Sequence, residues 1–162
     1  MTRVGIGYDV HRLAQGRALV LGGVSIPHPT GLDGHSDADV LIHAIADALL
    51  GALGEADIGH YFPNTDMRWR NAASAIFLEE IGRIVRERRG RIVNVDATVI
   101  AEQPRLAPHI GAMKEKIGAA LGLSAGRVGL KATTNESLGF LGRQEGIAAM
   151  AVASIDLPEG GA

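Results

Sequence analysis

The segment GIAAMAVASID, residues 146–156, is apolar on both of the faces that a strand would present. A strand of that kind belongs in the middle of a sheet or beneath another subunit, because water on either face would leave apolar side chains uncovered. The chain must therefore supply partners for its last strand, and strands alternate with amphipathic helices ahead of it. Residues 2–9 read as a first strand, and ALVLGGVSI, 18–26, as a second in which Gly22 and Gly23 mark a bulge. Leu41, Ile42, Ile45, Leu49 and Leu53 recur with the helical period and predict a helix from Ser36 to Leu53. After the turn-rich loop DIGHYFPNTD, a second helix is expected over 71–88, with Ile76, Phe77, Ile81, Ile84 and Val85 on one face.

IVNVDATVI, 92–100, alternates as a strand with Val93, Val95, Ala97 and Val99 on one side. A third helix carries Ile110, Met113, Ile117 and Leu121 and ends at Gly122, and VGLKATT, 128–134, is a further strand. This order predicts an α/β chain of the α+β sandwich type, a mixed sheet of four or so strands with helices packed on one face. A length of 162 residues suits one domain, so residues 1–162 read as a single unit.

Composition narrows the partners. The net charge of −2 lacks the basic footprint of a nucleic-acid binder. The one basic run, RIVRERRGR at 83–91, is interrupted by Glu87, has no aromatic residue for base stacking, and falls where cations complement a helix C-terminus. No stretch approaches the ~20 apolar residues of a bilayer span. The first residues lack the apolar run of a signal peptide and there is no cysteine, so a cytoplasmic protein is expected.

The chemistry begins at GYDVHRL, 7–13. Side chains at i and i+2 of a strand share a face, so Asp9 and His11 project together as a chelating pair. His43, on the predicted helix, offers a third ligand, with Asp39 and Asp47 four residues to either side to brace its imidazole. A D-x-H pair is also frequent by chance, and helix histidines commonly just pack. Ser36 reads as an N-cap with Asp39 at N3, and the helix start could bind phosphate through its free N–H groups. In KATTNESLGFLGRQEG, 131–146, Glu136 is a hard oxygen ligand of the kind Mg²⁺ prefers, although an ordinary connection would read the same way. Arg105 in AEQPRLAP is a phosphate clamp or a surface arginine.

GYDVHRL, HSDADVLIHA, DIGHYFPNTD and KATTNESLGFLGRQEGIA, in that order and spacing, resemble the 2-C-methyl-D-erythritol 2,4-cyclodiphosphate synthases of the non-mevalonate isoprenoid pathway, over Arg3 to Ile155. The resemblance implies a homotrimer with sheets around a three-fold axis and active sites between subunits. It implies conversion of the 2-phosphate of 4-diphosphocytidyl-2-C-methyl-D-erythritol to the cyclic diphosphate with release of CMP. On this chain it assigns Zn²⁺ to Asp9, His11 and His43, a second cation, Mg²⁺ or Mn²⁺, to Glu136, and catalytic roles to His35, Thr134 and Glu136.

His35 and Ser36 fall on positions that hold the substrate phosphates, Asp57 and Gly59 fall in the loop that grips the erythritol hydroxyls, and Ile58, Phe62 and Asn64 are further substrate contacts in or beside it. Ala101, Arg105, Leu106, Ala132, Thr133 and Thr134 fall around the cytidine diphosphate. Phe140 and Arg143 are also assigned to substrate binding, and Arg143 with Glu145 matches the pair lining a three-fold cavity that can hold an isoprenoid diphosphate in relatives. The chain departs from the pattern at Tyr8, His60, Asn64 and Asn135, where Phe, Lys, Asp and Thr are common, and none of these is a proposed metal ligand. Two further readings use the same residues: a phosphohydrolase with a metal-bound water, and a trimeric module that binds without turnover.

Overall fold

The computed structural model describes residues 1–159; the last three residues of the expected single unit lie outside the described residues. A five-stranded mixed sheet runs in the order β4-β1-β7-β5-β6. Its strands are β1 (Thr2–Gln15), β4 (Thr30–Leu32), β5 (Arg91–Ile100), β6 (Val128–Thr133) and β7 (Gly146–Asp156). β7 lies between β1 and β5, antiparallel to both, as its two-sided apolar sequence requires of a central strand. β5 and β6 are parallel, and α4 (Ile110–Leu121) lies in the crossover between them, closed by Gly122 in the left-handed conformation.

The other long helices are α1 (Val40–Leu53) and α3 (Ala75–Glu87), with two single turns, α2 (Ile58–Tyr61) and α5 (Gly139–Gly142). α1 is apolar nearly all round because it lies between the sheet and α3. Its contact with β1 sets the rest of the architecture. Gly5, Gly7, Asp9 and His11 share one face of β1, and a Cβ on Gly5 or Gly7 would stand 2.0 Å from the carbonyl oxygen of Ala48 or Ala44. Glycine on the strand against alanine on the helix therefore lets two backbones touch. The opposite face of β1 carries Val4, Ile6 and Tyr8, all more than half exposed, and continues onto Met150 and Val152 of β7.

Expected boundaries and faces shift at several points, and the helix expected over 71–88 begins only at Ala75. β1 continues six residues past residue 9, so Asp9 and His11 lie within the strand rather than at its end. Residues 18–26 form a hairpin, β2 (Leu19–Leu21) and β3 (Val24–Ile26), in which Gly22 and Gly23 both have positive φ. They make a two-residue turn, not a bulge. The first long helix starts at Val40 with Asp39 as its N-cap, so Ser36 does not cap it. In β5 a register shift falls between Ile92 and Asn94, which buries Ile92 and turns Val93 off the expected face; in α3 the buried stripe is Phe77, Leu78, Ile81, Gly82 and Val85, with Ile76 exposed.

Candidate metal centre

Asp9 and His11 reach the α1 side of the sheet by strand parity, and the close approach allowed by Gly7 brings His43 onto them. Nε2 of His11 lies 2.9 Å from Oδ2 of Asp9, Nδ1 of His43 lies 3.1 Å from the same oxygen, and the two nitrogens are 3.2 Å apart. Ligand atoms at about 2.0 Å from a tetrahedral Zn²⁺ stand about 3.3 Å from one another, so the triangle is close to that of three such ligands.

The outer ring nitrogens decide what the inner ones offer. Nδ1 of His11 donates to the carbonyl of Asp33 at 2.8 Å, and Nε2 of His43 donates to Oγ of Ser74 at 3.0 Å, with Oγ of Ser36 at 3.3 Å. Both inner nitrogens then present lone pairs to each other and to a carboxylate, an arrangement that needs a cation between them. Without a cation the inner nitrogens can donate to Asp9 only when an imidazole takes up a second proton; burial alone would raise the Asp9 carboxyl, but bonds of that kind from His11 and His43 outweigh it and hold the pKa at about 2. Burial alone would lower that of His11, and the bond to Asp9 raises it instead.

Neither carboxylate expected to brace His43 does so. Asp39 accepts from the backbone N–H groups of Gly22 (2.9 Å), Gly23 (2.7 Å) and Ile42 (3.1 Å), tying the hairpin turn to the helix start, and Asp47 accepts from Ile58 N–H at 2.8 Å. Backbone donors left over at a helix start and a turn bind carboxylates more readily than an imidazole one turn away. With Asp39 capping the helix, the expected phosphate site on its free N–H groups has lost one of its donors. Ser36 is buried, and its Oγ accepts from Ala38 N–H at 3.2 Å.

A cavity of about 210 Å³ opens beside the triad, and His35, Ser36, Ile58, Gly59, Phe62 and Asn64 line it. Asp57 caps α2 at its rim, accepting from His60 N–H at 3.1 Å. Phe77 and Trp69 complete the wall, with Phe62 stacked on Phe77 at 4.4 Å between ring centroids. Trp69 had no signal in the sequence beyond its being an aromatic residue in a loop. Ser74 and Asp37 were also missed as site residues, although a serine ahead of an apolar helical stripe is a recognisable start signal.

A second cavity of about 240 Å³ is lined by Ala101, Arg105, Leu106, Ala132, Thr133 and Thr134. Within one chain it stands apart from the first. Val10 aligns with Ala148, Ala148 with Ile100 and Ile100 with Thr133, so the two cavities flank the same end of the sheet, three strand spacings or roughly 14 Å apart. Glu136 belongs with the second, in the loop after β6. Its N–H donates to Oγ1 of Thr134 at 3.3 Å, and one oxygen of Glu102 accepts from Asn135 and Ser137 N–H at 2.8 and 3.2 Å. Phe140 is exposed, and Nε of Arg143 donates to Glu145 at 2.9 Å; neither lines either cavity.

Fold and site together define an α+β sandwich protein with a two-histidine, one-carboxylate centre for a divalent metal. The chain belongs to the YgbB family, whose pattern it matches over residues 2–156. A relative from Akkermansia muciniphila named 2-C-methyl-D-erythritol 2,4-cyclodiphosphate synthase is 60% identical over 156 residues, 96% of this chain and 92% of its own. A solved structure of a synthase of that name, in a form bound to CDP, superposes with a TM-score of 0.87 at 40% identity, covering 95% of this chain and all of that one. The bifunctional IspDF from Campylobacter jejuni superposes with a TM-score of 0.88 at 39% identity, and there this chain, covered over 98%, spans 43% of the larger protein.

Proposed function

We propose that this chain converts 4-diphosphocytidyl-2-C-methyl-D-erythritol 2-phosphate to 2-C-methyl-D-erythritol 2,4-cyclodiphosphate with release of CMP. The observation that carries the reading is the Asp9–His11–His43 cluster, lone pairs turned inward, beside a cavity lined by His35 and Ser36 in a chain of this family. In the reaction a 2-phosphate oxygen attacks the β-phosphorus, and the bond from that phosphorus to the oxygen it shares with the α-phosphate breaks, so that CMP leaves with the oxygen. The attacking group is already an anion and needs no strong base. The barrier comes from repulsion between phosphates and from bringing them into line. Zn²⁺ at Asp9, His11 and His43, with Mg²⁺ or Mn²⁺ at Glu136, supplies the neutralising charge.

The protein's own groups align the rest. Nε2 of His35 is taken by the carbonyl of Asp66 at 3.2 Å, so the other ring nitrogen reaches a phosphate as a donor only from the imidazolium form. Ser36 adds a hydroxyl on the same wall. Asp57, Ile58, Gly59, Phe62 and Asn64 hold the erythritol, and the apolar side made by Phe62 and Phe77 keeps water from the reacting phosphates. Ala101, Arg105, Leu106, Ala132 and Thr133 receive the cytidine diphosphate, and Thr134 the α-phosphate.

Two half-sites roughly 14 Å apart on one chain favour a site shared between copies, the nucleotide half of one facing the metal half of the next. The exposed apolar sheet face at Val4, Ile6, Tyr8, Met150 and Val152 is the surface that a homotrimer would cover. Phe140 and Arg143 would then turn towards the three-fold axis, where an isoprenoid diphosphate could be held. A cytoplasmic place of work belongs to the same reading; among the described residues no helix is long and apolar enough to cross a membrane. Phosphorus NMR of the reaction mixture tests the activity: a cyclic diphosphate with equimolar CMP is expected, and free orthophosphate would instead mark a hydrolase.

A further inference from the structure

The outer nitrogen of His43 meets a chain of two groups, buried Ser74 and half-buried Asp37, whose protons can be counted. Ser74, at the start of α3, is fully buried, and its Oγ lies 3.0 Å from Nε2 of His43. That hydroxyl is itself hydrogen-bonded to Oδ1 of Asp37, while the Ser74 N–H donates to Oδ2 of Asp37 at 3.0 Å. A carboxylate can only accept, so the single hydroxyl proton of Ser74 goes to Asp37. Oγ is left with lone pairs towards His43, and the imidazole must be the donor.

The proton of neutral His43 therefore resides on Nε2, and Nδ1 faces Asp9 and His11 as a lone pair. Asp37 is held in place from two sides, because its N–H donates to the carbonyl of Ala72 at 3.1 Å and Oδ1 also accepts from Asp39 N–H at 3.2 Å. Ser36 is the other neighbour, with its Oγ 3.3 Å from the same ring nitrogen and 3.4 Å from the Ser74 hydroxyl. It is already an acceptor from Ala38 N–H and carries no charge to impose a direction.

We infer that Ser74 and Asp37 are positioning residues that select the Nε2–H tautomer of His43 and so set the affinity of the centre for its divalent metal. The inference rests on the reading of Asp9, His11 and His43 as metal ligands. Partners of this kind behind a ligating histidine are worth about 10–100-fold in metal affinity. Asp37→Asn tests direction rather than packing. With its NH₂ at the Oδ2 position the amide would face the Ser74 N–H, a backbone donor at 3.0 Å that cannot turn away; at the Oδ1 position it faces the longer contact from Asp39 N–H at 3.2 Å and a hydroxyl that can rotate, so the NH₂ takes the Oδ1 position and the Ser74 proton turns towards His43.

The test uses the purified full chain, stripped of metal, with Zn²⁺ titrated against a chromophoric chelator for the parent, Ser74→Ala, Ser74→Thr, Asp37→Asn and His43→Ala. Two-bond ¹H–¹⁵N correlation of the histidines reads the tautomer directly. We expect Ser74→Ala and Asp37→Asn to bind Zn²⁺ 10–100-fold more weakly, Ser74→Thr to restore most of the affinity, and His43 to lose its Nε2–H signature in Asp37→Asn. If both weakening variants bind as the parent does while His43→Ala does not, the positioning role is overturned and the metal centre stands. If His43→Ala binds as tightly as the parent, the metal reading itself fails and the inference with it. Should Ser74→Ala fail to fold, the tautomer of His43 in the Asp37→Asn protein decides: unchanged Nε2–H overturns the role.

Discussion

Gly7→Ala puts the link between backbone contact and metal site to the test. The added Cβ would stand 2.0 Å from the carbonyl oxygen of Ala44 and 2.8 Å from the amide nitrogen of Ala48. Both are backbone atoms of α1, so no side chain can rotate away. Ordinary contact begins at about 3.4 Å, which leaves a deficit of roughly 1.4 Å to be met by moving β1, α1 or both. Overpacking of this sort costs about 1–3 kcal/mol, and for a chain of this length each kcal/mol lowers Tm by about 2–4 °C.

The larger consequence falls on His43, which adjoins Ala44. Metal–ligand bonds tolerate about 0.2 Å, so lifting the helix by as much as an ångström breaks the triangle of Asp9, His11 and His43. A misplacement of that size costs about 100-fold in turnover. The expected result is a folded protein with Tm lowered by about 2–12 °C, little zinc by mass spectrometry after gel filtration, and turnover, followed as CMP release, down about 100-fold or more. Gly111→Ala, where an added Cβ meets nothing within 4 Å, should match or exceed the parent in stability. A Gly7→Ala protein with full zinc, parental Tm and parental turnover would refute the reasoning.

Glu136→Gln should raise the Mg²⁺ concentration needed for half-maximal turnover at least tenfold while zinc content stays at the parental level; an unchanged Mg²⁺ titration would remove the second-cation assignment. Ile6→Asp puts a charge in the middle of the exposed apolar face and should convert the proposed homotrimer into monomer by analytical ultracentrifugation, with turnover lost although the metal triad is intact; an unchanged sedimentation coefficient would remove that face from the interface. Burial raises the Asp39 carboxyl from 3.8 to about 6, and His11 is raised above 6.5 by its bond to Asp9. Each contributes stability that is present in full below its unfolded pKa and lost as pH rises through its folded value. Metal-stripped protein should therefore melt at progressively lower temperature from pH 5 to pH 8, and calorimetry showing a steady rise over that interval would contradict this. The depressed carboxyl of Asp9 plays no part there, since its contribution is lost only as pH falls from 3.8 towards 2.

Much of the site was legible because its signals are local. Asp9 and His11 share a face by strand parity alone, and the element that carries His43 follows from the spacing of Leu41, Ile45 and Leu49. The resemblance carried by the four motifs also named several residues that line the two cavities, though not Trp69 or Phe77. What failed was reasoning from neighbours in the chain to neighbours in space. Asp39 and Asp47 were expected to brace His43 at a distance of four residues, but each found a backbone donor in need of a partner. The hydroxyl that holds the ring comes from 31 residues away.

By itself the sequence determined the family, the sandwich of helices on a mixed sheet, and which side chains could ligate a metal, since residue type and a period of two or 3.6 suffice for these. Only the tertiary structure decided how near the helix could come to β1, which nitrogen of each imidazole faces the centre, and that one chain keeps the metal triad and the cavity at Arg105 and Thr133 apart. Those three depend on distances between segments remote along the chain. They are set by the absence of a Cβ at Gly5 and Gly7, by buried hydrogen-bond partners, and by the strand order, none of which a local pattern contains.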